Sequence, residues 1–541
     1  MSRSKRTVST ELEPDEFDTF PIPDASKTHD TFPGFFINLG EIRGINAAWR
    51  FLWRVPGWLW LALTATVLRF VNLGGENVWY DESFTAWLAK LDLPHMWSAI
   101  QGDVHPPLWY LVEWVNVRIF GNSEFALRLP SAILSILAVL LVWRLALACK
   151  FQPRTAYLAG FLAAVLPASV YYGQDARMYP LLAVCVLGAA LMAIRGNWLL
   201  FTAFCAGAVY SQNLGVFYVA AIGIAVALVN GRSLKKLVKP LLAGIGVFAA
   251  WLPWLPSLLH QAEQVKAGFW IQPLTAGGVL WPLADMTMGW RMPDALQIHI
   301  YGVAIGLTLI GLVASRKWLM TKAGAIILAV VVGAPALAAL VSVYWRSVYL
   351  PRAMLPASLM LCLIWAYPLN HLSRPNRKVA RVIVVPMLAL ALFYHYFPAQ
   401  GGRFAVDSFS APIVAGWQQG DVIYHVAIDS CILSAYYLPG LPYALFPASS
   451  DLNQSLTEET KAAMGFNQAD LATLAQEGYK RAWVVTIANP LTSKTQLDEI
   501  ARIKRDYPYK LIISESSEVT TQEILLVTLS HSETTQKVNN E

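Results

Sequence analysis

The sequence predicts a polytopic α-helical membrane protein with about 11 transmembrane helices, short juxtamembrane helices lying on the membrane surface, and a C-terminal extracytoplasmic α/β domain. Three observations carry this. Of the 541 residues, 56% are hydrophobic and only 14% are charged, whereas a soluble globular chain has roughly 25% charged residues. The apolar residues fall in runs punctuated by Lys and Arg. The charge is also divided. Residues 399–541 hold 16 Asp/Glu against 10 Lys/Arg, although the whole chain is +6. A basic membrane part and an acidic tail point to different compartments. A soluble multidomain enzyme, a disordered chain and a secreted disulfide scaffold are excluded. No basic stripe with interleaved aromatics suggests nucleic acid. The five cysteines show neither CxxC nor zinc spacing.

Residues 1–45 are polar, lack a signal-peptide pattern, and read as a disordered cytosolic tail. Arg43, Arg50 and Arg54 precede the first apolar span, 56–71, and place the N-terminus inside. Arg69, near the far end of that span, is expected to snorkel to the interface. Residues 72–127 mix Glu76, Asp81, Glu82, Asp92, Asp103, His105, Glu113 and Glu124 with many aromatics. Two amphipathic pieces there, near 82–91 and 107–119, are too short to cross and are expected to lie on the outer surface. Further spans follow at 128–148, 155–171, 178–194, 198–213, 214–230 and 240–258, then two that end at Arg316 and near Tyr344, then 350–368 and 382–397. In this register every major basic cluster is cytosolic and the tail is outside. The membrane domain is thus 46–398 and the outer domain 399–541. In the outer domain strand patterns at 421–427, 482–488, 510–514 and 523–529 alternate with helical ones at 428–438, 468–478 and 494–506. That alternation predicts a small α/β domain with a mostly parallel sheet. It holds no GxGxxG and no P-loop.

Four constellations could carry chemistry. Asp81 and Glu82, flanked by Trp79, Tyr80 and Phe84, sit just outside the first span. A partly desolvated carboxylate there should have a raised pKa and accept a proton from a hydroxyl; the alternative is that Asp81 only caps a helix. In Asp103-Val104-His105-Pro106-Pro107 the prolines start a helix whose N-terminus suits an anion, with His105 beside it. Asp103 and His105 could instead share a divalent metal ion such as Mg, Mn or Zn. Asp175 and Arg177 are either an interfacial ion pair or part of a site shared with Asp81. Arg352, with Arg346, lies near the outer boundary, where a cation needs a phosphate or carboxylate unless it snorkels. All four fall on one side of the membrane, which suits a phosphate-bearing substrate held at its surface.

These motifs carry a resemblance. Tyr80-Asp81-Glu82-Ser83, His105-Pro106-Pro107-Leu108-Trp109-Tyr110, Arg128-Leu129-Pro130-Ser131 and Gln174-Asp175-Ala176-Arg177-Met178-Tyr179, in that order, resemble bacterial GT-C glycosyltransferases. Those membrane enzymes are related to protein O-mannosyltransferases and the lipid A aminoarabinose transferase. Arg352-Ala353-Met354-Leu355-Pro356 is similar to a late family segment, with Ala353 where an aromatic is usual, and Gly268-Phe269-Trp270 also looks family-like. The resemblance spans roughly 56–370. It implies inverting transfer from a polyprenyl-phosphate sugar donor to a lipid, glycan or protein acceptor, on the outer face of a cell (inner) membrane. It implies that Asp81 is the general base and Asp175 a second acidic residue of the site; Glu82 is set beside them as a catalytic candidate, although neighbours point different ways and only one of the pair should face the sugar. His105, Arg177, Tyr179, Arg352 and Trp270 would then bind substrate, and the leaving phosphate needs cationic or metal stabilisation. The rival is a transporter or flippase of lipid-linked sugars, which should carry ionisable residues near the bilayer midplane and paired repeats of broken helices. A structural or sensory membrane protein would leave the Asp-Glu and His-Pro-Pro clusters unexplained.

Overall fold

The computed structural model describes residues 56–231, 233–267, 271, 273–275, 277–399, 406–447, 457–488, 492, 494–516 and 521–529. The 1–45 tail and Trp270 lie outside the described residues. The chain is a multi-pass helical membrane protein. Six helices are long and apolar enough to cross a membrane, and a bent pair and four shorter apolar helices accompany them.

In chain order, α1 (Gly57–Phe70) leads to three short helices, α2 (Tyr80–Lys90), α3 (Leu93–Gly102) and α4 (Leu108–Phe120). Then come α5 (Glu124–Ala148), α6 (Pro153–Val165), α7 (Pro167–Gly173), α8 (Tyr179–Arg195), α9 (Trp198–Ser211) and α10 (Gly215–Asn230). The long helices α11 (Leu234–Glu263), α13 (Asp294–Ala314), α14 (Lys322–Tyr344), α15 (Pro351–His371) and α16 (Pro375–Tyr396) follow, with the shorter α12 (Gly277–Met288) among them. α8 and α15 are apolar and buried on nearly every face, as expected of central helices. α11, α13 and α16 expose Leu241, Phe248, Leu309, Val313, Val382 and Phe393, a belt for lipid chains.

Three helices, not two, occupy the stretch after α1. The additional α3 is started by Asp92, whose carboxylate accepts the His95 N–H at 2.9 Å, with Pro94 in its first turn. α6 and α7 meet at a 57° bend. Pro167 has no N–H to donate and its ring crowds the carbonyl four residues back, so carbonyls near the break lose their helical partners. Arg69 supplies them. It does not snorkel: it is fully buried and donates to the Ala163 and Ala164 carbonyls, to Ser169 Oγ at 2.8 Å and to Ser135 Oγ at 3.1 Å. A charge fully hydrogen-bonded to carbonyls and hydroxyls can be kept inside where a bare one cannot.

After α17 (Val406–Gly416), strands β1 (Asp421–His425), β2 (Tyr443–Leu445), β3 (Arg481–Ala488), β4 (Tyr509–Ser516) and β5 (Thr521–Thr528) form one sheet in the order β2-β1-β3-β5-β4. Helices α18 (Ile428–Tyr437), α19 (Glu458–Met464), α20 (Leu471–Gln476) and α21 (Lys494–Asp506) connect them. β1 pairs parallel with β2 and β3, while β5 pairs antiparallel with β3 and β4. The sheet is therefore mixed, not mostly parallel. The few residues between β4 and β5 cannot hold a crossover helix, so the chain must fold back as a hairpin.

This unit docks on the short helices. The Tyr437 hydroxyl accepts the Val78 N–H at 2.8 Å, Trp87 donates to the Met464 carbonyl at 3.2 Å and Thr460 donates to the Ala99 carbonyl at 3.1 Å. Gly102 is required at this seam, because an added Cβ would come within 2.6 Å of Thr460 Oγ1.

Candidate active site

The site is built where the loops at the ends of α1, α3, α7 and α14 converge on the start of α2. Trp79 is extended, α2 begins at Tyr80, and the Glu82 carboxylate turns back to the Trp79 N–H at 3.4 Å. Asp81 and Glu82 therefore leave the helix in different directions.

Glu82 points inward and is fully buried. Arg128 grips it twice, Nε to Oε1 at 2.8 Å and Nη2 to Oε2 at 2.9 Å, and the Ala176 N–H donates to Oε1 at 2.9 Å. Arg128 also donates to the carbonyls of Leu73, Glu76 and Asn77. Glu82, expected among the catalytic acids, is thus placed in an ion pair, and its oxygens hold the loops at 73–77 and 175–176 to α2.

Asp81 faces the other way and keeps 14% of its side chain exposed. Arg352 Nη1 lies 2.7 Å from its Oδ2 and Arg177 Nε 3.6 Å from the same atom. No described side chain bonds Oδ1. Burial pushes the Asp81 pKa up, but Arg177 and Arg352 outweigh it and hold the carboxyl below its ordinary range. The expected raised pKa is corrected accordingly, because the chain brings its own counter-ions. Arg352 thus meets a carboxylate of this chain, and its guanidinium carbon lies 5.6 Å from the Trp79 ring and 5.8 Å from the Tyr179 ring. Arg352 is 18% exposed and Arg177 only 1%. Of the two cations, Arg352 is the one open to a ligand.

Arg177 is anchored deeper, donating to the Asp81 carbonyl at 3.3 Å and approaching Thr85 Oγ1 at 3.5 Å. Its Nη2 stands 3.2 Å from His105 Nε2. A guanidinium only donates, so Nε2 accepts and the imidazole proton sits on Nδ1. Nδ1–H donates to Asp103 Oδ2 at 3.0 Å, which also takes the Tyr110 hydroxyl at 3.3 Å. The chain Asp103–His105–Arg177–Asp81 is continuous. In this arrangement His105 Nε2 faces a cation, and among the described residues no group of three His, Cys, Asp or Glu side chains could hold a metal. Asp175 is fully buried and accepts the Trp79 indole N–H at 2.7 Å, so it orients the ring that flanks Arg352. Tyr179 is fully buried beside the same guanidinium.

The structure brings together Asp81, Arg177, Arg352, His105, Asp103, Asp175 and Tyr179, from four separated segments. Sequence reasoning missed the parts of Trp79, Thr85 and Arg128. Thr85 stands four residues from Asp81 and so on the same helix face, which was a usable signal. The pairing of Arg128 with Glu82 had none.

A family model described as dolichyl-phosphate-mannose-protein mannosyltransferase matches residues 104–256. ArnT from Cupriavidus metallidurans, in a crystal structure bound to undecaprenyl phosphate, is similar in structure with a TM-score of 0.57 and 15% identity, over 90% of this chain and 99% of that one. The apo structure of the same protein gives 0.58 and 14%, with the same coverage. No curated protein matches by sequence. The order of helices, the convergent charged face and these likenesses give the chain the fold of the GT-C membrane glycosyltransferases.

Proposed function

We propose that this protein moves a sugar from a polyprenyl-phosphate donor to an acceptor on the outer face of the membrane, with inversion at the anomeric carbon. The observation that carries the reading is Asp81, held by two arginines on one oxygen and, among the described residues, without a side-chain bond to the other. ArnT, which shares the fold, binds undecaprenyl phosphate, and Arg352 is suited to the same kind of group here. In the step, an acceptor lone pair forms a bond to the anomeric carbon. The bond from that carbon to the phosphate oxygen breaks, its electrons leave on the phosphate, and the acceptor proton passes to Asp81 Oδ1. A phosphate is a weak base, so no strong general acid is needed; Arg352 and, behind it, Arg177 stabilise the charge that develops. Their hold on Asp81 keeps it ionised and ready to take the proton.

The six long helices, the bent pair as one span and the four shorter apolar helices make eleven spans in this reading, with residues 399–541 outside the cytoplasm. Asp81→Asn tests the chemistry. It keeps the shape and removes the base, with an expected loss of about 10²–10⁴ in transfer rate and little change in binding of undecaprenyl phosphate. Near-normal turnover in that variant would remove Asp81 from the role.

A further inference from the structure

Of the two cations on Asp81, Arg177 is the buried one, and its side-chain contact with Asp81 is long. Its Nε lies 3.6 Å from Asp81 Oδ2 and, among the described residues, makes no hydrogen bond. Nη1 reaches the Asp81 carbonyl at 3.3 Å and Thr85 Oγ1 at 3.5 Å. The shortest of these contacts is the one between Nη2 and His105 Nε2, at 3.2 Å. A guanidinium has five N–H donors and no acceptor, so inside the protein it lies as the available acceptors direct. His105 Nε2 is therefore a main determinant of how Arg177 lies beside Asp81.

An imidazole nitrogen accepts only while the proton is on the other nitrogen. With the proton on Nε2, two N–H groups would face each other. Asp103 keeps the proton on Nδ1. Its side chain is only 3% exposed, and Oδ2 takes both the His105 Nδ1–H at 3.0 Å and the Tyr110 hydroxyl at 3.3 Å. The surrounding backbone is pinned without that carboxylate. The Asp103 N–H donates to the Ile100 carbonyl at 3.2 Å, and Asn213 Nδ2 donates to the Val104 carbonyl at 3.0 Å. Gln261 braces both, accepting from Asn213 at 3.1 Å and donating to the Ile100 carbonyl at 3.0 Å. Pro106 and Pro107 restrict the chain that follows. Loss of the Asp103 carboxylate should thus leave the loop in place and free the imidazole proton to move.

We infer that Asp103 is a positioning residue for the transfer step: it fixes the Nδ1–H tautomer of His105, which keeps Nε2 an acceptor for Arg177 and so keeps Arg177 aligned on Asp81. The inference rests on the transferase reading above. Neither Asp103 nor His105 touches donor or acceptor in it, and no proton moves along the chain. His105, expected to bind substrate, acts through Arg177 instead.

Two readouts on the full chain in nanodiscs test this. In nitrogen NMR of isotope-labelled histidine, with His105→Gln used to assign the signal, the native chain should carry the proton on Nδ1 and leave Nε2 bare. Asp103→Ala should bring up the Nε2–H tautomer. The second readout is turnover of labelled undecaprenyl-phosphate mannose, glucose and arabinose in lipids of the host membrane. Asp103→Ala should lower kcat about tenfold to a hundredfold, the loss of one hydrogen bond to a charged group. Donor KM, binding of undecaprenyl phosphate and melting temperature should stay as in the native chain. Glutamine brings a carbonyl acceptor that needs no tautomer, so Asp103→Ala should add little loss to His105→Gln, a coupling that a merely structural Asp103 would not show. If the alanine variant fails to fold, Asp103→Asn takes its place, and its kcat should follow the share of Nδ1–H tautomer it retains. A native His105 protonated on Nε2 overturns the inference. So does a swapped tautomer with native kcat, so do fully additive losses in the double variant, and so does a raised donor KM at unchanged kcat. A native chain that fails to bind undecaprenyl phosphate overturns the transferase reading itself, and is told apart because it shows without any variant.

Discussion

Asp81 and Glu82 are adjacent carboxylates with opposite fates, because successive helical positions point about 100° apart. Glu82 meets the core and Arg128; Asp81 meets the open side and Arg352. Their substitutions should therefore separate stability from activity. Glu82→Gln leaves the Arg128 guanidinium buried without its counter-charge, a loss of about 3–5 kcal/mol. Its melting temperature in detergent should fall well below that of Asp81→Asn, where some solvent is at hand to compensate, while its folded fraction should keep substantial turnover. If Glu82→Gln melts like the native chain, the ion pair is not what holds the two loops to α2.

Among the elements, the bend between α6 and α7 depends on a residue from α1. With Arg69→Leu the carbonyls near Pro167 and the Ser169 hydroxyl lose their donor inside the bundle, each at about 1–3 kcal/mol. The expected result is a marked fall in melting temperature and yield; an unchanged melt would mean that water or the helix itself satisfies the break. Gly173, one turn on, shows how tightly this is packed: an added Cβ would lie 2.8 Å from Arg69 Cγ. At the end of β1, His425 is fully buried, bonded through Nδ1 to Ser430 Oγ at 2.9 Å, and burial pushes its pKa down to about 3. The unfolded chain, with an ordinary value near 6.5, binds the proton first as pH falls. His425 therefore subtracts stability progressively from about pH 6.5 toward pH 3 and nothing above that window. Asp429, with a raised pKa, acts in the opposite sense as pH rises through its titration. The contribution of His425 is isolated by comparison with His425→Asn: native melting should fall more between pH 7.5 and 5 than that of the variant, and equal falls would refute it.

The molecule as a whole has two unlike ends. One gathers Lys235, Lys236 and Lys239 at the start of α11, Arg316 and Lys317 after α13, and Arg377, Lys378 and Arg381 in the first turns of α16. The other holds the Asp81 cluster and the sheet. Basic helix ends face the cytosol by the rule that retains Lys and Arg inside, so the sheet and the site should face outward together. Alkaline phosphatase fused after Leu529 should be active, since it folds only outside the cytoplasm. An inactive but stably made fusion would invert the molecule and place the site on the wrong face for the proposed donor.

Much of the membrane part was legible because the bilayer imposes long apolar runs, charge at their ends and Pro at their breaks, all of which are local. Strand patterns at 421–427 and 482–488 likewise overlap β1 and β3. Asp81, His105, Asp175, Arg177 and Arg352 stood out as ionisable residues in apolar surroundings, and short motifs tied four of them to a family pattern. Partner choice was not legible. That Arg69 would turn to a helix break rather than to the interface, and that Arg128 would take Glu82 and leave Asp81 to Arg177 and Arg352, depend on segments dozens to hundreds of residues apart. Local composition fixes which residues must find an opposite charge or a hydrogen bond once water is excluded; which one they find is set by the packing that brings those segments into contact.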